Sequence, residues 1–169
     1  KSLFLWSVVM VFLIVASMGK YSAGIGDGAS SFNELVSQLP PSWQRIFGVG
    51  VFDLSTAIGY IGALYLYIVL VAAIHAVMLG CGILSKEERD KTAEFLLTRP
   101  VTRTRVVTAK LLVALTMVLV LNLVTLLATY LFLGYYADQP FLADLLKLMG
   151  GMLALQVLFG AVGAFAAGV

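Results

Sequence analysis

Charge is what this sequence has least of. Of its 169 residues, 12% are Asp, Glu, Lys or Arg and 61% are hydrophobic. The mean hydropathy is +1.01. A soluble domain carries about a quarter charged residues, so this chain lacks the polar surface that a water-facing globule needs. A single cysteine, Cys81, excludes an internal disulfide; a small apolar residue packed near a helix end is the plainer reading of it. With one histidine and one cysteine in the whole chain, no His/Cys metal cluster is expected. Nor does G-x-x-x-x-G-K-[ST] occur: the nearest glycine cluster, "GIGDGASS" at 24–31, has no lysine to meet a phosphate. A chain of this kind does not hydrolyse nucleotides, and a non-catalytic role is expected, without metal, bound cofactor or nucleic-acid partner.

Apolar sequence, by contrast, is abundant and comes in long blocks: Leu3–Met18, Ile58–Leu84, Leu111–Gly134 and Met149–Val169. About 20 apolar residues cross a bilayer core as a helix. With flanking residues, the expected spans are about 1–18, 56–84, 106–134 and 149–169, a polytopic all-α membrane bundle of four helices. At about 1.5 Å per residue, 58–84 is roughly 40 Å long against a core of about 30 Å, so that helix tilts or protrudes. The first block, preceded by Lys1 and followed by small residues at Ser22-Ala23-Gly24, has a signal peptide as its alternative. Three further spans downstream favour a membrane helix.

The scarce charges are unevenly placed. Seven of the eleven cations (Lys86, Arg89, Lys91, Arg99, Arg103, Arg105, Lys110) fall between Ser85 and Lys110. At about 2.5–3.5 kcal/mol each for mid-bilayer placement, seven would cost roughly 20 kcal/mol. The segment 85–105 is therefore expected outside the hydrocarbon, and the positive-inside rule puts it in the cytoplasm. The loops 19–53 and 135–148 then face outward; they hold Lys20, Arg45 and Lys147 against Asp27, Glu34, Asp53, Asp138 and Asp144. In the first of them, Ser31-x-x-Glu34 reads as a capping box opening a short helix through Leu39. Pro40-Pro41 breaks that helix, and Ser42 would cap a turn over Trp43–Phe47. Trp43, Phe47, Tyr135 and Tyr136 suit the membrane–water interface, as do Tyr60, Tyr65 and Tyr67 near the outer end of the second span. The loop reads equally as a lid on the outer leaflet or as a plain connector.

In the charged segment, Ser85-x-x-Glu88 is another capping-box pattern and Pro100 a stop signal, which predicts a helix over Lys86–Arg99. On it Glu87, Asp90, Lys91 and Glu94 form one charged stripe, with Ala93 and Leu96 opposite. A helix that seeks anionic lipid is rich in Lys and Arg on its polar face; this stripe has three acids to one base and better suits a protein surface. After Pro100, Thr102 or Thr104 would cap the next helix, with Arg103, Arg105 and Lys110 at the headgroups.

The stretch "GILSKEERDKTAEFLLTRPVTRTRVVTAKLL", 82–112, resembles the segment between the second and third spans of type-2 ABC exporter permeases. Their pattern of Glu, Gly-Thr, Leu-Leu, Pro-x-x-Arg and a Lys opening the next span maps to Glu87, Thr92, Leu96-Leu97, Pro100 with Arg103, and Lys110. Lys91 departs from it, standing where the family often has Gly. The resemblance implies that 85–105 is a coupling loop docking on a cytoplasmic ATP-binding-cassette ATPase, with Glu87, Glu88, Thr92, Leu96, Leu97, Pro100, Arg103 and Lys110 as contacts. ATP and Mg²⁺ would be held by that partner, and a second permease copy or paralogue would complete the transporter in the plasma (inner) membrane. Six spans per subunit are implied, so an elbow helix before span one and spans five and six are expected beyond this sequence.

Within the spans, His75, Asn122 and Gln156 are the candidates for a translocation path, since polar groups at that depth are functional by default. Each has a plain alternative: a neutral imidazole bonded to a neighbouring helix for His75, interhelical glue for the two amides. Thr116, Thr125 and Thr129 are expected to bond their own backbone. Gly160, Ala164 and Gly168 form a small-residue seam on one face, toward another span or a second subunit. Two other classes compete with the permease: a secondary transporter or channel, which would place more charge inside the spans, and a non-transporting membrane scaffold.

Overall fold

The computed structural model describes residues 2–38, 40–46, 56–89, 103–136 and 140–168. They form five α-helices and, among the described residues, no strand: α1 Ser2–Ser37, α2 Pro41–Ile46, α3 Ala57–Arg89, α4 Arg103–Tyr136 and α5 Leu142–Gly168. Four are long and apolar enough to cross a membrane, over Ser2–Ser22, Ala57–Gly82, Thr104–Tyr136 and Leu142–Ala167. Large apolar side chains such as Phe4, Phe12, Leu66, Leu131 and Phe165 lie open on these helices. In water that surface would drive aggregation; against lipid tails it costs nothing. The chain is an all-helical, polytopic membrane protein.

Three helix boundaries differ from the sequence expectation. α1 does not end at Met18 for a new helix to open at Ser31; it runs unbroken to Ser37. The glycines on the way cost about 1 kcal/mol each in a helix interior, but none stops it as Pro40 and Pro41 do. α2 begins at Pro41 rather than after Ser42. Proline's missing N–H is harmless at a first helical position, and the Trp43 amide donates to the Pro40 carbonyl at 2.9 Å. Likewise Ser85 does not open a helix but lies inside α3, which continues to Arg89. The sequence Ser-Lys-Glu-Glu-Arg holds no breaker and four strong helix formers.

The chain forms two compact units. The first comprises Lys1–Ile68 and Val124–Gly150. Met10, Ile14 and Met18, one turn apart on α1, are buried in it, as are Ile61 and Ile68 of α3, Leu133 of α4, and Leu145 and Met149 of α5. Thr56 caps α3, its hydroxyl accepting from the Gly59 amide at 3.1 Å. The Tyr65 hydroxyl donates to the Leu148 carbonyl at 2.5 Å, tying α3 to α5. Aromatic rings gather here: Tyr21 lies 5.4 Å from Tyr60 and 6.1 Å from Tyr136, and Tyr136 lies 4.9 Å edge-on to Tyr135. On the exposed first turns of α5, Lys147 pairs with Asp144 at 2.8 Å.

The second unit comprises Val69–Leu123 and Gly151–Val169. Its core is built from small residues and few large ones: Ala72, Ala73 and Ala76 of α3, Val118 and Leu121 of α4, and Met152 of α5 are buried. Here α3 and α5 meet backbone to backbone. A Cβ added at Gly80 would strike the Gly160 carbonyl oxygen and the Ala164 nitrogen, and one at Gly163 would lie 2.5 Å from the Val77 oxygen. Such an approach needs glycine, and it is the small-residue packing that membrane helices use in place of a hydrophobic drive.

Candidate functional site

His75, Asn122 and Gln156 lie in the second unit, and the helices bring two of them together. Asn122 sits mid-way along α4 and Gln156 mid-way along α5; the Asn122 Nδ2 donates to Gln156 Oε1 at 3.1 Å. Gln156 is 1% exposed, and its Nε2 is buried with no hydrogen-bond partner. His75 of α3 is 2% exposed. The residue after it, Ala76, lines a cleft of about 190 Å³ together with Gly80 of α3, Leu111 and Leu115 of α4, and Gln156 and Gly160 of α5. Among the residues lining that cleft, Gln156 alone has a polar side chain.

The hydroxyls behave as short polar groups in a helix do. Thr116 donates to the Leu112 carbonyl and, in the first unit, Thr129 donates to that of Thr125, each at 2.8 Å. The small-residue seam on α5 faces α3 of the same unit, and its members differ from the expected set. Gly160 and Ala164 belong to it against Gly80, and Gly163, which was not in that set, belongs as well, against Val77; the environment of Gly168 lies outside the described residues. Cys81 joins the seam too, its Sγ donating to the Gly163 carbonyl at 3.2 Å. Sequence reasoning missed Gly80 and Gly163, although Ala76-x-x-x-Gly80 was a readable small-residue pair on α3.

Of the residues expected at a coupling surface, Glu87 and Glu88 fall on the last turn of α3, and Arg103 is the first residue of α4. Lys110 stands two turns further along α4, half-buried. Thr92, Leu96, Leu97 and Pro100 lie outside the described residues, as does the 90–99 part of the expected helix. Among the described residues, no three His, Cys, Asp or Glu side chains come together as a metal site.

Four helices long and apolar enough to cross a membrane mark an integral membrane protein. The family model for ABC-2 family transporter proteins matches residues 1–169, and the chain belongs to that family. No curated protein and no solved structure matches it. Family membership makes it a membrane permease of an ABC transporter.

Proposed function

We infer that this chain is the non-catalytic permease subunit of an ATP-driven exporter. Hydrolysis takes place on a separate cytoplasmic ATP-binding-cassette subunit, and the segment 85–105 receives its motion. The observation that carries this reading is the crowding of seven of eleven cations into Ser85–Lys110, at the junction of the second and third apolar spans of an ABC-2 family chain. A force-bearing contact between proteins needs polar groups of both signs that stay out of the hydrocarbon, and this segment supplies them with Glu87, Glu88, Lys91 and Glu94 beside Leu96 and Leu97. Closure of two ATPase subunits would push on the segment and rock α3 and α4 between inward- and outward-open states. The working assembly would be two permease chains and two ATPases in the plasma membrane, with 85–105 on the cytoplasmic side.

The test is to replace Glu87, Leu96 and Arg103 by Ala together and to purify the complex with its ATPase. Loss of co-purification, or of substrate-stimulated hydrolysis with the complex intact, is expected. Unchanged binding and unchanged stimulation would leave the segment without a coupling role.

A further inference from the structure

The cleft of the second unit is open at the side. Leu111, Leu115 and Val157, which line it, are 44%, 42% and 49% exposed, while Ala76 and Val118 are buried. In a membrane the exposed faces of these helices meet lipid, so the cleft opens to the bilayer. It offers carbon only: Gln156, its one polar side chain, is closed off by burial and by its bond to Asn122. An engineered apolar cavity of about 150 Å³ holds one benzene, so a cleft of about 190 Å³ takes an acyl segment of about six to eight carbons.

Its depth fits one leaflet. The α3 wall, Ala76–Gly80, lies ~3–9 Å inside the end of the apolar span at Gly82. The α4 wall, Leu111–Val118, begins ~10 Å from Thr104, where that span starts. Half of a hydrocarbon core is about 15 Å thick, so the cleft lies among the tails of the leaflet next to the charged segment.

An apolar fit alone selects nothing in a membrane, because lipid tails are as apolar as Leu. Selection has to come from the headgroup, and α4 places a cation for it. Val106, Lys110, Ala114 and Val118 are half-buried or buried at four-residue spacing, while residues 107–109 and 111–113 between them are exposed. Lys110 therefore shares the inward face with Ala114 and Val118, both of which line the cleft, and stands one turn, ~6 Å, nearer the charged end. Side chains on a helix tilt toward its N-terminus. The Lys110 stem thus stays with the cleft while its ammonium reaches out toward the headgroups, as membrane lysines do. The charges of α4 are Arg103, Arg105 and Lys110, with no Asp or Glu along its whole length. The acids of α3, Glu87 and Glu88, come ~10 Å beyond Gly80, past the end of the apolar span.

We propose that this cleft is the acyl site of one anionic phospholipid, whose chain lies against Ala114 and Gly160 and whose phosphate meets Lys110. Cleft and cation lie in a single unit, and the site holds however the transporter is powered. The walls fix where the tail lies, and the charge decides which lipid supplies it.

The experiment uses the whole protein in lipid nanodiscs with two photoreactive lipids, a phosphatidylglycerol and a phosphatidylcholine that carry the same diazirine-bearing chain. Labelled peptides are mapped by mass spectrometry. One basic side chain favours an anionic lipid about fivefold, so the phosphatidylglycerol probe is expected to label the segments around Gly80, Ala114 and Gly160 about fivefold more than the phosphatidylcholine probe. Lys110→Gln should remove most of that preference and Lys110→Arg should keep it. Ala161→Phe, with its helicity checked by circular dichroism, should fill the cleft and block labelling there by both probes. Equal labelling of the native cleft by the two lipids would mean that any tail fills it, and would overturn the assignment. A preference that persists in Lys110→Gln would do the same, by tracing it to the general attraction of Arg103 and Arg105. Absence of cleft labelling by either lipid would show that protein covers the cleft, a second copy of this chain included, and would equally refute a lipid site.

Discussion

The approach of α3 to α5 is the most exacting feature of the structure, and Gly163→Ala tests it. The added methyl would sit 2.5 Å from the Val77 carbonyl oxygen and 3.1 Å from both the Val77 carbonyl carbon and Cα. All three are backbone atoms, so no side chain can swing aside. Ordinary contact starts near 3.4 Å, so the helices must part by about 0.9 Å, and a gap of that size forfeits a quarter to a half of each dispersion contact across the seam. The Cys81–Gly163 hydrogen bond, 3.2 Å in the native protein, would stretch to about 4 Å and lapse. Overpacking of this sort costs about 1–3 kcal/mol, and the rigid backbone opposite puts Gly163 at the upper end. Alanine recovers about 1 kcal/mol of helix propensity, which leaves a net loss of about 2 kcal/mol. Two glycines of the same helix are the controls. Gly160→Ala meets only the Ala76 oxygen at 3.7 Å and should be near neutral, while Gly150→Ala meets nothing within 4 Å and should be neutral or stabilising. The assay is SDS titration of the purified protein in mixed micelles, followed by circular dichroism. If Gly163→Ala proved as stable as Gly150→Ala, the backbone contact between α3 and α5 would not exist.

Three further outcomes follow from single contacts. A double-mutant cycle on Asn122→Leu and Gln156→Leu should give a coupling of about 0.6 kcal/mol and no more than about 1.7, the range of interhelical side-chain bonds in membranes; zero coupling in the same titration would mean the amides are not partners. Tyr65→Phe removes the bond to the Leu148 carbonyl and should cost about 1 kcal/mol, read as a lower unfolding midpoint. Asp144→Asn should leave that midpoint unchanged, because the Lys147 pair is largely exposed and such pairs contribute little after screening.

The four spans and the all-helical class were legible because hydropathy over about 20 residues measures the transfer free energy that decides insertion. Two of the expected helix starts were not there. Ser31-x-x-Glu34 and Ser85-x-x-Glu88 have the residues of a capping box, yet capping saves energy only where the chain enters a helix from outside. Both stretches are reached by a helix already formed, so α1 and α3 pass through them. Rotational register was also hidden. In water an apolar stripe marks the face that turns inward, but in lipid Leu is no better inside than outside. Nothing in the hydropathy of α4 and α5 therefore said that Asn122 would face Gln156. Their being polar was readable; their pairing needed the third dimension. The seam was half readable for the same reason: small residues recur at Gly160 and Ala164, but which of Gly160, Gly163 and Ala164 meets Val77 or Gly80 depends on how the helices cross.

That seam also bears on how a push at the charged segment would travel. The part of α3 from Val69 to Arg89 and the part of α4 from Arg103 to Leu123 belong to one compact unit, with Gly160–Ala164 of α5. Backbones in direct contact have no long side chains to absorb a displacement by changing rotamer, so interiors packed this closely transmit strain rather than dissipate it. A movement imposed at Arg89 would reach Gly80 through about nine residues of unbroken helix, and from there α5 must follow or lose contact. In the proposed mechanism α3 and α5 therefore move as a pair. Gly163→Ala, which prises them apart, should weaken substrate-stimulated hydrolysis by the bound ATPase more than Gly160→Ala does. Equal stimulation in the two variants would mean that the seam holds the fold together without carrying the stroke.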